Sequence, residues 1–313
     1  AHVRGEFERT ADISRALEQY YAARSEKAVD AYAAQRVEVA KLLRSAIKRV
    51  QRQLDGLLRD EPQPGEIDRL RMEADWLLAL SSQIEAGQRS VQVDLGEEML
   101  IIQLDPVRSP VEQAERQFQR ARKLERAATF VPKRRAMLSR DLAYLEQLQH
   151  DLSMAQSQPE IAFVRNEVRD MKLISHQRQG RQRKPSSTTV QPLRYESQSN
   201  FEIVVGKNAR QNEHVTFNIA HGNDLWLHAR GVPGAHVVIR RRGAEIDDET
   251  VLAAAQLAAH YSQASGERNA DVMVTPRRAV SRIAGGRPGQ VTVRDERTVT
   301  VAAEVPETVT KIG

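Results

Sequence analysis

Asp224-Leu225-Trp226-Leu227-His228-Ala229-Arg230, then Gly231-Val232-Pro233-Gly234, then Ala235-His236-Val237-Val238-Ile239-Arg240, reads with period two as a strand, a Pro-Gly turn and a second strand. It holds one of the chain's two tryptophans. Alternation puts Asp224, Trp226, His228 and Arg230 on one side and Leu225, Leu227 and Ala229 on the other. The first set suits a platform for nucleic acid, because an aromatic plane accepts any base and arginine grips phosphate with two donors. It equally suits a core anchored by Trp226, with His228 satisfied by hydrogen bonds. A register slip of one residue exchanges the faces, so alternation leaves the exposed side open.

Around this hairpin, residues 201–205, 215–219, 271–275, 290–294 and 298–302 also read as strands. One helix interrupts them, capped by Asp247, with Asp248 and Glu249 in its first turn and Gly266 ending the segment. Its face of Leu252, Ala255, Ala258 and Ala259 is small, as a helix lying close on a sheet requires. Residues 193–313 are therefore expected to form a compact, mostly antiparallel α+β domain.

Upstream, residues 173–192 lose their apolar content and carry no acid, which predicts a flexible basic linker. Arg181, Arg183 and Lys184 are its candidate RNA contacts, since flexible cationic segments are drawn to phosphate by counterion release; a solvated hinge is the plainer reading.

Before the linker, apolar residues recur at helical spacing from about 7 to 58, including Leu17, Val39, Leu42, Val50 and Leu57, with no proline. About 50 residues would reach roughly 75 Å as one helix, which needs a partner along its length. Asp60-Glu61-Pro62-Gln63-Pro64-Gly65 stops it. A shorter helix over 66–85 carries Trp76, Leu77, Leu78 and Leu80, and strands at 91–95 and 99–104 flank Gly96. Ser109, Pro110 and Glu112 open a second long helix to about residue 155, which Pro132 should kink or interrupt. The expected fold class is α+β: a long antiparallel helical coiled-coil hairpin with a small α+β tip module, followed by the C-terminal domain. The segments are 1–61, first coiled-coil helix; 62–106, tip module; 107–172, returning helices; 173–192, linker; 193–313, C-terminal domain.

Composition bounds the function. The 313 residues carry 47 basic and 42 acidic side chains, only mildly basic, and 4% aromatic against 28% charged residues suits long solvated helices. Cysteine is absent, which excludes disulfides and thiolate metal sites. No apolar run approaches the roughly 20 residues of a membrane span, so a soluble, cytoplasmic protein with no membrane partner is expected.

Several motifs invite chemistry. Gly206-Lys207-Asn208 with Gln211-Asn212 follows a strand and reads as a turn; it lacks the spacing and hydroxyl of a phosphate-binding P-loop. Gly285-Gly286-Arg287-Pro288-Gly289 is a loop first and a phosphate cradle second. Arg240-Arg241-Arg242, Arg277-Arg278, Arg282 and Arg287 give local basic density. His214, His221, His228 and His236 have no tight ligand spacing, so no metal is expected. No nucleophile elbow or paired carboxylates appear, so neither a catalytic residue, an enzyme nor a cofactor is expected.

The Gly206-Lys207-Asn208 turn with Gln211-Asn212, the Trp226-Leu227-His228 strand, Pro233-Gly234-Ala235-His236, the alanine-rich helix at 250–262 and the basic run through Arg278 and Arg282 to Pro288-Gly289 stand in the order of a known domain. The chain resembles the NFACT family, the RqcH- and NEMF-type ribosome quality-control factors, and residues 193–313 resemble its NFACT-R domain. The upstream helix, small module and returning helix are similar too. Ser14 to Tyr21 resembles the opening of the family's coiled coil. The resemblance implies a factor that binds an obstructed large ribosomal subunit, contacting rRNA and ribosomal proteins. In the whole protein it implies recruitment of alanyl-tRNA for C-terminal alanine tailing, with peptide-bond chemistry left to the ribosome. The chain begins Ala1-His2-Val3 without methionine. The family's N-terminal tRNA-recognition and helix-hairpin-helix domains are accordingly expected to lie outside it.

The candidate RNA- or ribosome-binding positions are Lys207, Asn208, Trp226, His228, Arg230 and His236 in the motif region, and Arg277, Arg278, Arg282 and Arg287 in the basic segment. The resemblance also implies ribosome contact by residues 62–106. Two other classes remain: a fibronectin-binding adhesin, after an old name in the family, and a structural coiled-coil scaffold without RNA affinity.

Overall fold

The computed structural model describes residues 13–59, 61–96, 98–171 and 191–312. They fall into two compact units, one of residues 50–139 and one formed by the chain up to Arg49 and from Arg140 onward. The linker positions Arg181, Arg183 and Lys184 lie outside the described residues.

Helix α1 (Ile13–Arg59) and helix α3 (Pro110–Met154) each run through both units. Ser109 opens α3 as a capping box: its Oγ accepts the Glu112 N–H at 3.2 Å while Glu112 Oε2 accepts the Ser109 N–H at 3.0 Å. The Ser109 N–H and hydroxyl, both donating to Glu112 Oε2, hold that carboxyl below its ordinary value. Pro132 does not interrupt α3, which continues through it. One proline deletes one ladder bond, and the rest of a 45-residue helix remains.

In the unit of residues 50–139, α2 (Glu66–Ala79) ends earlier than its periodicity suggests, and residues 80–83 form turns. Strands β1 (Ser90–Asp94) and β2 (Met99–Gln103) pair antiparallel, Val93 opposite Leu100. Ala74, Leu77, Val93, Ile102, Leu104 and Ala114 close a small core. The other face of the hairpin leaves Met99 and Ile101 more than half exposed, at 56% and 53%.

In the second unit, Val39, Leu43 and Ala46 of α1, Tyr144, Leu145, Leu148 and Leu152 of α3, and Ile161, Val164 and Val168 of α4 (Gln158–Asp170) are buried. The C-terminal sheet has seven antiparallel strands in the order β10-β7-β5-β6-β4-β3-β11. They are β3 (Leu193–Ser197), β4 (Glu202–Gly206), β5 (Leu225–Ala229), β6 (His236–Arg240), β7 (Ala270–Pro276), β10 (Arg297–Val301) and β11 (Val309–Lys311). Helix α6 (Asp248–His260), capped by Asp247 accepting the Thr250 N–H at 2.7 Å, covers one face over Ile203, Val205, Leu227, Val237, Ile239, Val272 and Val274. The opposite face, with Val204, Trp226 and Val238, is covered by Val215 and by the two-stranded ribbon of β8 (Val280–Arg282) and β9 (Val291–Val293).

Two local expectations are corrected. Residues 215–219, expected as a strand, form a π-helical turn (Val215–Ile219), and the Gly206-Lys207-Asn208 turn leads into a short helix, α5 (Ala209–His214). The alternation of Val215, Phe217 and Ile219 is real, but Val215 and Thr216 are consecutive and both buried, which a strand with one covered face does not allow.

Candidate nucleic-acid interface

Strand β5 pairs with β6 and β7, so its side chains meet whatever covers the two faces of the sheet. Trp226 is completely buried, against Val204, Val215, Val238 and Val280. Its indole Nε1–H donates to Thr216 Oγ1 at 3.1 Å, and that hydroxyl bridges to His236 Nδ1 at 2.8 Å. His228 stacks on the indole at 5.8 Å between ring centroids, and His236 meets both rings edge-on at 4.9 and 5.2 Å. Burial pushes the His228 imidazole down to about 4 and His236 well below its ordinary value. Both rings are thus neutral at neutral pH. The expected stacking face of Asp224, Trp226, His228 and Arg230 is therefore corrected at Trp226, since an indole with no exposed face stacks no base, and His236, buried with it, is corrected as a binding position.

The remaining motif positions tie the domain to itself. Asn208 caps α5, its Oδ1 accepting the Gln211 N–H at 3.0 Å, while Gln211 Oε1 accepts the Lys207 N–H at 2.9 Å. Asn212 reaches across to the hairpin, donating from Nδ2 to the Gly234 carbonyl at 2.9 Å and accepting the His236 N–H at 2.9 Å. Two glycines are required by close approach: a Cβ on Gly206 would stand 2.8 Å from Asn212 N, and one on Gly234 would stand 2.6 Å from Ser262 Cβ.

The same residues form the seam on which α3 and α4 meet the sheet domain. Asp151 Oδ2 accepts the Ala209 N–H at 3.0 Å, Gln147 Oε1 accepts the Gly234 N–H at 3.1 Å, and His150 Nε2 donates to the Tyr261 carbonyl at 3.1 Å. Glu167 accepts Tyr144 Oη–H at 2.6 Å and Arg210 at 2.6 Å. Lys207 Nζ lies 3.7 Å from Glu160, and Arg287 pairs with Asp141 at 2.9 Å. Lys207, Asn208 and Arg287, all proposed from sequence as binding positions, therefore have partners within the chain.

The basic positions separate by location. Arg277 and Arg282 stack on Phe217 at 4.6 and 3.8 Å from its centroid; Arg277 also donates to the Thr216 carbonyl, and Arg282 to Glu213 at 2.6 Å. Arg230, at the end of β5, donates to Thr298 Oγ1 at 2.9 Å. Arg278 is exposed and bonds the neutral Asn223 side chain at 2.6 Å. It belongs to the rim where β5 begins and β6 and β7 end, which brings the basic runs Arg240-Arg241-Arg242 and Arg277-Arg278 of the sequence together. There the buried Asp224 carboxylate accepts the N–H groups of His221 and Arg241, both at 2.8 Å, and pairs with Arg240 at 3.0 Å. What the sequence did not show is the organising role of Asp224, whose only signal was an acidic residue at the start of a strand that begins beside Arg240-Arg241-Arg242.

Residues 2–187 match the family model for NFACT N-terminal and middle domains, and residues 191–295 match the model for the NFACT protein RNA binding domain. The chain belongs to the NFACT family. The seam therefore joins helices of the first NFACT region to its RNA binding domain. Among curated NFACT relatives, the Rqc2 homolog RqcH of Bacillus subtilis (strain 168) is 29% identical over 315 residues, 99% of this chain and 54% of the relative. The Rqc2 homolog RqcH of Streptococcus suis (strain 05ZYH33) is 29% identical over 293 residues, 92% of this chain and 51% of the relative. The chain thus spans about half the length of these relatives. A solved structure, the C-terminal part of the fibronectin/fibrinogen-binding protein from Streptococcus suis, matches with a TM-score of 0.54 at 26% identity, covering 85% of this chain and 96% of that one.

Proposed function

We propose that this chain is the ribosome- and RNA-binding portion of a ribosome-associated quality control factor that engages obstructed large ribosomal subunits in the cytoplasm. The observation that carries this reading is the match of residues 191–295 to an RNA binding domain, in a chain whose curated relatives are RqcH proteins. The chain acts by binding rather than by catalysis. Helices α1 and α3 pair as a coiled coil whose tip module, residues 62–106, contacts the ribosome; its exposed Met99 and Ile101 supply an apolar anchor. In the longer protein, alanyl-tRNA is recruited and the stalled nascent chain receives a C-terminal alanine tail. Among the described residues, no helix is long and apolar enough to cross a membrane.

Cosedimentation with purified large subunits tests this reading. The chain should pellet with them, and pelleting should weaken on substituting the tip or the basic residues of the C-terminal domain. A chain that stays in the supernatant with both empty and peptidyl-tRNA-bearing subunits contradicts it. A second reading, a fibronectin-binding adhesin, is favoured by the name of the Streptococcus suis structure; it requires direct fibronectin binding and no affinity for RNA.

A further inference from the structure

Five guanidinium groups gather on the rim at the start of β5 and the ends of β6 and β7: Arg194, Arg240, Arg241, Arg242 and Arg278. Among the described residues they share two carboxylates. Glu202 takes both Arg194 and Arg242, and Asp224 takes Arg240. Arg241 Nε donates only to the Ala244 carbonyl, at 2.9 Å, and Arg278 to the Asn223 amide oxygen. The surplus positive charge thus sits on Arg241 and Arg278, both exposed.

Asp224 builds the rim from three loops. Its carboxylate fixes the backbone of residues 221 and 241, its carbonyl accepts the Arg277 N–H at 2.8 Å, and the Gly222 carbonyl accepts the Arg278 N–H at 3.1 Å. The exposed His221 ring closes the cluster: a guanidinium can only donate, so His221 Nδ1 accepts from Arg240, at 3.1 Å. Two further acids stand close, Glu196 opposite Glu202 in the β3–β4 register and Glu245 directly after the Arg241–Ala244 turn, while Asp247 is committed to capping α6; the five guanidinium groups still outnumber these four carboxylates.

We propose that this rim is the surface by which the C-terminal domain takes the phosphodiester backbone of RNA. This rests on the RNA-binding reading above and adds where the contact lies. Bidentate guanidinium forks in surplus over carboxylates match a polyanion. A protein partner or a lipid surface would call for an apolar anchor beside the charge. Among the described residues of this domain, the large exposed apolar side chains are Leu252 on α6 and Val305 and Ile312 in the C-terminal segment; Ile312 donates its N–H to the Arg194 carbonyl on β3, two strands from β6 and four from β7, where Arg241 and Arg278 follow.

The test is fluorescence anisotropy of the full chain with a fluorescein-labelled oligouridylate of about 20 nucleotides, titrated across salt. Arg241→Gln with Arg278→Gln should weaken binding roughly tenfold at low salt and flatten the log–log salt slope by roughly 1.4, two contacts at about 0.7 each. The charge-matched control is Arg268→Gln with Lys311→Gln; Arg268 precedes β7 at the opposite end of the sheet, and Lys311 lies on the edge strand β11. It should lose much less. Equal losses in the two double variants overturn the rim while leaving RNA binding standing. An intact chain that does not bind the oligonucleotide overturns both. Unchanged RNA affinity with lost ribosome pelleting in the rim variant overturns the rim as an RNA site in favour of a protein contact.

Discussion

Asp151 Oδ2, on α3, accepts the backbone N–H of Ala209, the first residue of α5, at 3.0 Å, joining the helical region to the RNA binding domain at a buried point. Gln147 holds the other carboxylate oxygen at 2.8 Å. Removing the acceptor leaves a buried N–H without a partner, so Asp151→Ala should cost about 1–3 kcal/mol, read as a lower urea midpoint. A midpoint unchanged by this substitution would show that the seam bond contributes nothing.

Burial also pushes the Asp151 carboxyl up to about 7, while the unfolded value is near 3.9. The folded state therefore holds an extra proton between about pH 4 and 7, and this group makes stability fall as pH rises through that window. His228 acts with the opposite sign. Its folded value of about 4 against roughly 6.5 unfolded gives a contribution fully present above pH 6.5 and lost as pH falls towards 4. His236 and His150, also pushed down by burial, act with His228, so three histidines oppose the single Asp151 and the melting temperature should rise between about pH 4 and 6.5. Asp151→Asn should steepen the rise of stability with pH by leaving the histidine terms alone. A profile in Asp151→Asn no steeper than that of the unsubstituted chain would refute the assignment.

Trp226 fills the core beneath the β8–β9 ribbon, so Trp226→Ala should cost about 3–5 kcal/mol. RNA affinity measured below the melting transition should keep its salt slope, because no phosphate contact is lost. A flattened slope would return Trp226 to the binding surface.

The way Asp224 organises the rim gives a prediction that charge counting reverses. Asp224→Ala makes the chain one unit more positive, so charge alone predicts tighter RNA binding. Losing the acceptor for His221 and Arg241 frees both loops, and weaker binding is expected, with the melting temperature lowered by the loss of two half-buried hydrogen bonds. Tighter binding by this variant would mean that rim geometry is immaterial.

Met99 and Ile101 lie on the uncovered face of the β1–β2 hairpin. Replacing both with serine should leave thermal stability within about 0.5 kcal/mol and reduce cosedimentation with large subunits. Full retention of pelleting would move the ribosome contact away from this module.

Much of this fold is written in local pattern. The capping box at Ser109 and Glu112, the Asp247 cap and the alternation from Leu225 to Ala229 follow from residues close in sequence, and each has its partner in the structure. The side on which Trp226 would be exposed was not readable, because both faces of the sheet are covered: α6 covers one, and residues 215 and 280–293 cover the other. Helix α5 did carry a signal, Asn208 followed three residues later by Gln211, a capping-box spacing hidden behind a glycine turn. The seam was illegible for a different reason. Lys207, Arg210 and Arg287 look like free cations until Glu160, Glu167 and Asp141 are brought to them over 43 to 146 positions. Periodicity carries no information about such pairings.

The central claim is that the family motif around Trp226 and Asn208 holds the domain to its helices, while RNA and ribosome are met at the Asp224 rim and the β1–β2 module. Crosslinking the intact chain to large subunits, with the crosslinked residues mapped by mass spectrometry, tests this most directly. Crosslinks to RNA at residues 241, 242 and 278 and to the ribosome at residues 95–101, with none at Trp226 or His236, are the expected result. Crosslinks concentrated at Trp226, His228 and His236, with the rim silent, would contradict it.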